Sequence, residues 1–147
     1  MAVYTNFITK ETNLGKPEFF DITDEVQSIV SKSGIKNGLT TVFTPSATSS
    51  IILNEDDKFL FSDFFDVFEK IAPKALRLGH YRHPDPHHVD DFLNAHSHLR
   101  CSITGQSQTV PIIDGKLHLG TYQRIIFLEL EDIRKRKRKI CVQVIGE

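Results

Sequence analysis

Apolar positions recur along this chain with two periods. Alternating or continuous apolar runs rich in Val, Ile, Phe and Thr predict strands at residues 3–8, 19–22, 39–43, 109–113, 116–119, 125–130 and 140–145. After Pro45, residues 46–53 open with small side chains and close with apolar ones, which reads as a further strand neighbouring 39–43. Three segments follow the helical period instead. The first runs to about Ser33, capped by Thr23 or Asp24 and stopped by Gly34. The second covers 59–71, where Phe59, Phe61, Phe64, Phe65, Val67, Phe68 and Ile71 make a wide apolar face read as core packing; Pro73 ends it. The third covers 90–103, with Asp90, Asp91 or Asn94 as its cap.

Turn chemistry joins these elements. Residues 35–38 read as a turn, and Asp114-Gly115 predicts a tight hairpin between its flanking strands. Pro84 and Pro86 make 80–89 an irregular connection. No repeat, linker or low-complexity tract interrupts the 147 residues. Strands at both ends with two or three helices between them predict a compact single-domain α+β fold over 1–147, β-sandwich-like, with a largely antiparallel sheet.

Composition narrows the function classes. Apolar and charged fractions of 39% and 25% are those of a globular chain, and a net charge of −1 offers no broad attraction to nucleic acid or acidic membranes. The start Met-Ala-Val-Tyr-Thr-Asn lacks the basic and apolar regions of a signal peptide, and no apolar run approaches the ~20 residues of a membrane span. Cys101 and Cys141 form no metal or redox pair, so reduced thiols and a cytoplasmic location are expected.

Histidine distribution supplies the main functional signal. His80, His83, His87, His88, His96 and His98 crowd into nineteen positions, and His118 follows later. Imidazole ligates metals and titrates near neutrality, so the concentration points to a site. On a helix, Asn94, His98 and Ser102 share one face four residues apart, while His96 points elsewhere. His98 is the first candidate, with Asn94 beside it. His80/His83, Asn94/His98 and Asn54-Glu55 could converge to hold a divalent metal, although no self-sufficient motif such as His-Glu-x-x-His is present. His87 and His88, between prolines and aspartates, read as solvated.

Other stretches carry weaker signals. Thr104-Gly-Gln-Ser107 reads as a helix stop whose amides could also face a phosphate. Gly120-Thr-Tyr-Gln123 could expose a hydroxyl and an amide at a strand edge, or form a glycine bulge. Arg134-Lys-Arg-Lys-Arg-Lys139 lacks interleaved aromatics and reads as a solvated hairpin end that deters edge pairing, not a nucleic-acid contact. No nucleophile elbow, Walker loop or dinucleotide fingerprint occurs.

Three blocks, Ser46-Ala-Thr-Ser-Ser-Ile-Ile-Leu-Asn-Glu55, Asn94-Ala-His-Ser-His-Leu-Arg-Cys-Ser-Ile-Thr-Gly-Gln-Ser107 and Asp114-Gly-Lys-Leu-His-Leu-Gly-Thr-Tyr-Gln123, resemble the YjbQ-like family in order and spacing. That family is also called the secondary thiamine-phosphate synthase family. The resemblance runs from about Thr41 to Glu147. It implies a compact α+β homotrimer with a polar site near a subunit interface. The implied activity is a weak condensation of hydroxymethylpyrimidine diphosphate with thiazole phosphate, releasing diphosphate.

Carried over by position, the resemblance implies Glu55, His98 and Asn94 as catalytic residues. Ser46, Asn54, Gly105, Ser107 and Gln123 would be substrate or phosphate contacts, and His83 and His98 ligands of a divalent metal, Zn or Mg. Two positions depart from the family pattern: Ser46 stands where its first block usually opens with His, and Tyr122 replaces Trp. A hydroxyl is a poor substitute for a neutral imidazole as ligand or base. The expected partners are a phosphate-bearing small molecule and further copies of the chain, with no nucleic acid or membrane. A non-catalytic phosphate-binding or assembly module with a decayed site, and a metal-dependent phosphate-ester hydrolase, are the alternatives.

Overall fold

The computed structural model describes residues 1–13, 16–84, 87 and 92–147. The expected caps Asp90 and Asp91, and His88, lie outside the described residues. The element order is β1 (Ala2–Glu11), β2 (Glu18–Asp21), α1 (Thr23–Ser33), β3 (Gly38–Phe43), β4 (Ser49–Asn54), α2 (Lys58–Ile71), α3 (Ala95–Thr104), β5 (Ser107–Ile113), β6 (Lys116–Leu117), β7 (Arg124–Glu129) and β8 (Lys137–Gly146). Two antiparallel sheets form. One has the order β1-β8-β3-β5-β6 and the other β2-β7-β4.

The sequence explains this layering through β7. Ile125 and Phe127 turn to one side and join the larger core with Val42, Val110, Ile140, Val142 and Val144 of the five-stranded sheet and with α1. Ile126, Leu128 and Leu130 turn to the other side, where Phe68 of α2 and Cys101 of α3 close a second core. A continuous apolar run suits a strand covered on both faces. The result is a sandwich of two sheets with α2 and α3 stacked on the outside of the smaller one, an α+β architecture. No helix among the described residues is long and apolar enough to cross a membrane.

Four local expectations need correction. Strand β4 does not neighbour β3: β3 lies between β8 and β5, whereas β4 pairs with β7 in the other sheet. The β-branched and apolar run 39–43 reads as a buried strand, yet β3 is buried on one face only: Thr40 and Val42 point inward while Leu39 and Phe43 are exposed. Thr23 is inside α1 rather than capping it; the Asp21 carboxylate accepts from the Thr23 amide at 2.9 Å and hydroxyl at 2.6 Å. The basic run is not a solvated hairpin end throughout, as described below. The hairpin is as expected, with Asp114 at φ 51° and Gly115 at φ 78° in its turn.

Candidate functional site

Helix α3 carries the site because its two faces differ. Ala95, Ser97 and Cys101 lie against the smaller sheet, where the Ser97 hydroxyl donates to the Leu130 carbonyl at 2.6 Å. His96 is fully buried and belongs to a structural cluster, its Nδ1 accepting from the Ala75 amide at 3.3 Å and its Nε2 meeting Asp132 at 3.1 Å. Lys74 completes that cluster at 2.8 Å from Asp132. His96 therefore anchors the chain after α2 and does not face the other imidazoles.

Asn94 and His98 lie at the opening of α3 and meet His83 there. The rings of His83 and His98 pack edge to face, 5.0 Å between centroids at 79°. The Asn94 amide connects this pair to a buried acid: its Nδ2 donates to Glu131 Oε2 at 3.0 Å, and its Oδ1 lies 3.3 Å from His83 Nε2. With Nδ2 donating to the carboxylate, Oδ1 is the amide atom that faces His83, placed to accept a hydrogen bond from Nε2–H.

Glu131 is fully buried and holds two arginines on the same oxygen. Arg134 Nη2 lies 3.3 Å and Arg136 Nη2 3.9 Å from Oε2, while Oε1 accepts from the Ile133 amide at 3.3 Å. Phe92 supports Arg134 from below, with the guanidinium 3.8 Å from the ring centroid. The neighbouring Glu129, also fully buried, takes Arg138 through both oxygens at 2.5 and 2.9 Å. The run 134–139 thus alternates. Its arginines turn toward buried carboxylates, and its lysines 135, 137 and 139 are exposed.

His98 is held neutral. Burial is the largest influence depressing its pKa below 6.5, and the adjacent His83 and Arg134 act in the same direction. Glu131 and a hydrogen bond to the Ala47 backbone oppose them without prevailing. A neutral imidazole can accept a proton, donate one N–H to an oxyanion or ligate a metal. Among the described residues, no three His, Cys, Asp or Glu side chains group around a common point as a metal site.

The remaining candidates are elsewhere. Ser46 is one residue from Ala47 and so adjoins the site, but its hydroxyl accepts from the Thr48 amide at 3.1 Å and closes a local turn. Gly105 and Ser107 follow the far end of α3, roughly 15 Å from Asn94 by helical rise, and the Gly105 amide donates to Cys101. Asn54, Glu55 and Gln123 gather in their own cleft of about 410 Å³, with Gly120, Thr121 and Tyr122. There the Gln123 side chain accepts from the Gly120 amide at 2.8 Å.

Strand register separates this cleft from the histidines. Ser49 pairs with Glu129 at one end of the β4–β7 ladder, and Asn54 with Arg124 at the other. Five steps of about 3.3 Å place the two ends roughly 17 Å apart. The expected convergence of Asn54-Glu55 with His83 and His98 therefore does not occur within one chain. His80 stacks on Tyr81, with 4.8 Å between centroids, and His118 is exposed; neither joins the pair.

Glu131 and Arg134 were missed in the sequence, where they read as a strand end and part of a charged hairpin. A signal was present. Glu129-x-Glu131 followed by Arg134-x-Arg136-x-Arg138 repeats with the period of a strand face, and two buried acids need cations on that same face.

The family model described as UPF0047 protein YjbQ-like matches residues 8–147. A UPF0047 protein of Methanothermobacter thermautotrophicus is 39% identical over 142 residues, covering 97% of this chain and 93% of that one. Another from Archaeoglobus fulgidus is 38% identical over 120 residues, covering 82% and 86%. Among solved structures, a YbjQ-like protein of unknown function from Sulfolobus solfataricus superposes with a TM-score of 0.81 at 33% identity, covering 99% of this chain and all of the other. A hypothetical protein from Aeropyrum pernix gives 0.84 at 31% identity, with 98% and 99% covered.

Proposed function

This chain belongs to the YjbQ-like UPF0047 family, and from that premise we propose that it binds a phosphate-bearing small molecule in the cytoplasm at the His83–Asn94–His98 cluster. The chemistry would be condensation of the thiamine-phosphate synthase type. A thiazole nitrogen forms a bond to the pyrimidine methylene carbon as the bond to diphosphate oxygen breaks, and diphosphate leaves. The observation that carries this reading is the edge-to-face imidazole pair, fixed through Asn94 to buried Glu131 and bordered by Arg134. Such a leaving group needs its developing charge met by N–H donors, cations or a metal.

A divalent metal, Zn or Mg, belongs to the same proposal. His83 and His98 would supply two nitrogens, with further ligands from substrate oxygens or water. Glu55, Asn54 and Gln123 would serve the second substrate. A homotrimer in which the cleft of one copy faces the imidazole pair of another would reconcile their separation along the β4–β7 ladder.

The test is diphosphate release from the pyrimidine diphosphate, with and without the thiazole phosphate. Wild-type protein is expected to release diphosphate only with both substrates, and His98→Ala to lose at least 100-fold, the scale of one positioned acid–base group. Equal rates in the two proteins would refute the reading. Release without the thiazole phosphate would point to hydrolysis. Ser46 favours a second reading, a non-catalytic phosphate-binding module, because its hydroxyl is engaged in its own turn. Equal phosphate binding with no turnover in either protein would support it.

A further inference from the structure

We propose, resting on the phosphate-ligand reading of the same site, that Arg134 and Arg136 form its anion-binding arm and take the terminal phosphate of a diphosphate. Charge is the first argument. Three arginines, 134, 136 and 138, face two buried carboxylates. Arg138 matches Glu129 with two hydrogen bonds. Among the described residues, Arg134 and Arg136 therefore share Glu131 as their acidic partner, through one nitrogen each on one oxygen, which leaves this half of the cluster one positive charge in excess.

Hydrogen-bond accounting is the second argument. Among the described residues, the Nε groups of Arg134 and Arg136 are buried donors without a partner. Such orphans are rare in folded proteins and call for a water, an ion or a ligand. Each side chain is still about a third exposed, 32% and 33%, so part of each lies at the surface from which an anion would arrive. A guanidinium offers its donors as a planar fork matched to phosphate oxygens. Burial, then repulsion from Arg134 and Arg138, pushes the Arg136 pKa down despite Glu131 and Glu129, as befits a cation short of countercharge.

Position is the third argument. Arg134 and Asn94 meet on the same Glu131 oxygen, at 3.3 and 3.0 Å, and Asn94 in turn contacts His83, which packs on His98. One diphosphate could therefore meet the guanidiniums and an imidazole N–H together. The ligand class is a phosphate ester or diphosphate; a carboxylate would fill only one of the two forks.

Calorimetric titration with inorganic diphosphate at fixed ionic strength tests the assignment. Arg134→Gln and Arg136→Gln are expected to weaken binding tenfold or more. Lys135→Gln and Lys137→Gln, interleaved in the same run but exposed, are expected to stay within twofold of wild type. Arg134→Lys and Arg136→Lys keep the charge facing Glu131 and lose the fork; they decide the matter if the Gln variants unfold, and a tenfold loss is expected there too. Arginine variants within twofold of wild type, losses of equal size in the lysine variants, or no diphosphate binding by wild type would each overturn it. His98→Ala separates the two claims. If it abolishes turnover while arginine variants bind normally, the arm is wrong and the site reading stands; if it changes neither turnover nor binding while the arginine variants lose affinity, the reverse holds.

Discussion

His98 sits where opposing fields meet, and its titration reports on each neighbour separately. Burial lowers its pKa most, His83 and Arg134 add to that, and Glu131 and the Ala47 backbone work against it. Arg134→Gln should therefore raise the His98 pKa and Glu131→Gln should lower it, both read from imidazole resonances in an NMR pH titration. The sign for stability follows from linkage. A histidine whose folded pKa is depressed leaves the unfolded chain binding more protons just below 6.5. Its contribution is complete above that value and is lost as pH falls toward the lowered one. Shifts in the same direction for both variants would contradict the electrostatic picture. At this scale the sequence was legible for Asn94 and His98, because helical spacing alone puts them on one face. His83 was a candidate from histidine spacing together with His80, and the family resemblance chose between the two. Glu131 shows only when the acid pair and the arginines after it are read together with a period of two, since burying a carboxylate depends on cations from the connection that follows it.

Elements show where pattern suffices and where it stops. The apolar run of β7 announced a strand, and Asp114-Gly115 announced its hairpin, because both rest on local sterics and side-chain pattern. The sheet to which β4 belongs was not legible. Its apolar residues fit either sheet, and the Ser46–Thr48 turn that carries the chain across is held by hydroxyl contacts that do not show in a hydropathy pattern. The basic run misled for a related reason. Read as a block it is a solvated end; read with period two it is an arginine face against Glu129 and Glu131 and a lysine face against water. The buried pair within it supplies a stability prediction. Arg138→Met should destabilise by about 3–5 kcal/mol in urea unfolding, because Glu129 is then left buried and unpaired. Adding Glu129→Leu should recover most of that loss. A double variant as unstable as the single one would mean that Arg138 acts through packing instead.

Considered as a whole, the molecule presents two polar clusters that its own sheet keeps apart. His83, Asn94 and His98 lie beyond the Glu129 end of the β4–β7 ladder, and Asn54, Glu55 and Gln123 beyond the Arg124 end. The outer face of the larger sheet carries apolar rows in register, Val3–Ile145–Leu39–Pro111 and Phe7–Cys141–Phe43, with Val3, Phe7, Leu39, Phe43 and Ile145 exposed. The proposed assembly would cover these exposed apolar rows. If the proposed site is completed by a second copy, subunits damaged in different clusters should complement each other. His98→Ala and Glu55→Gln would each be inactive alone. Co-assembled in equal amounts, they would regain about one quarter of wild-type activity, the share of interfaces at which both contributing halves are intact under random assembly. Diphosphate release by the co-expressed mixture measures this directly. A mixture as inactive as its parents would confine each site to one chain and leave Glu55 without a part in the chemistry of His98.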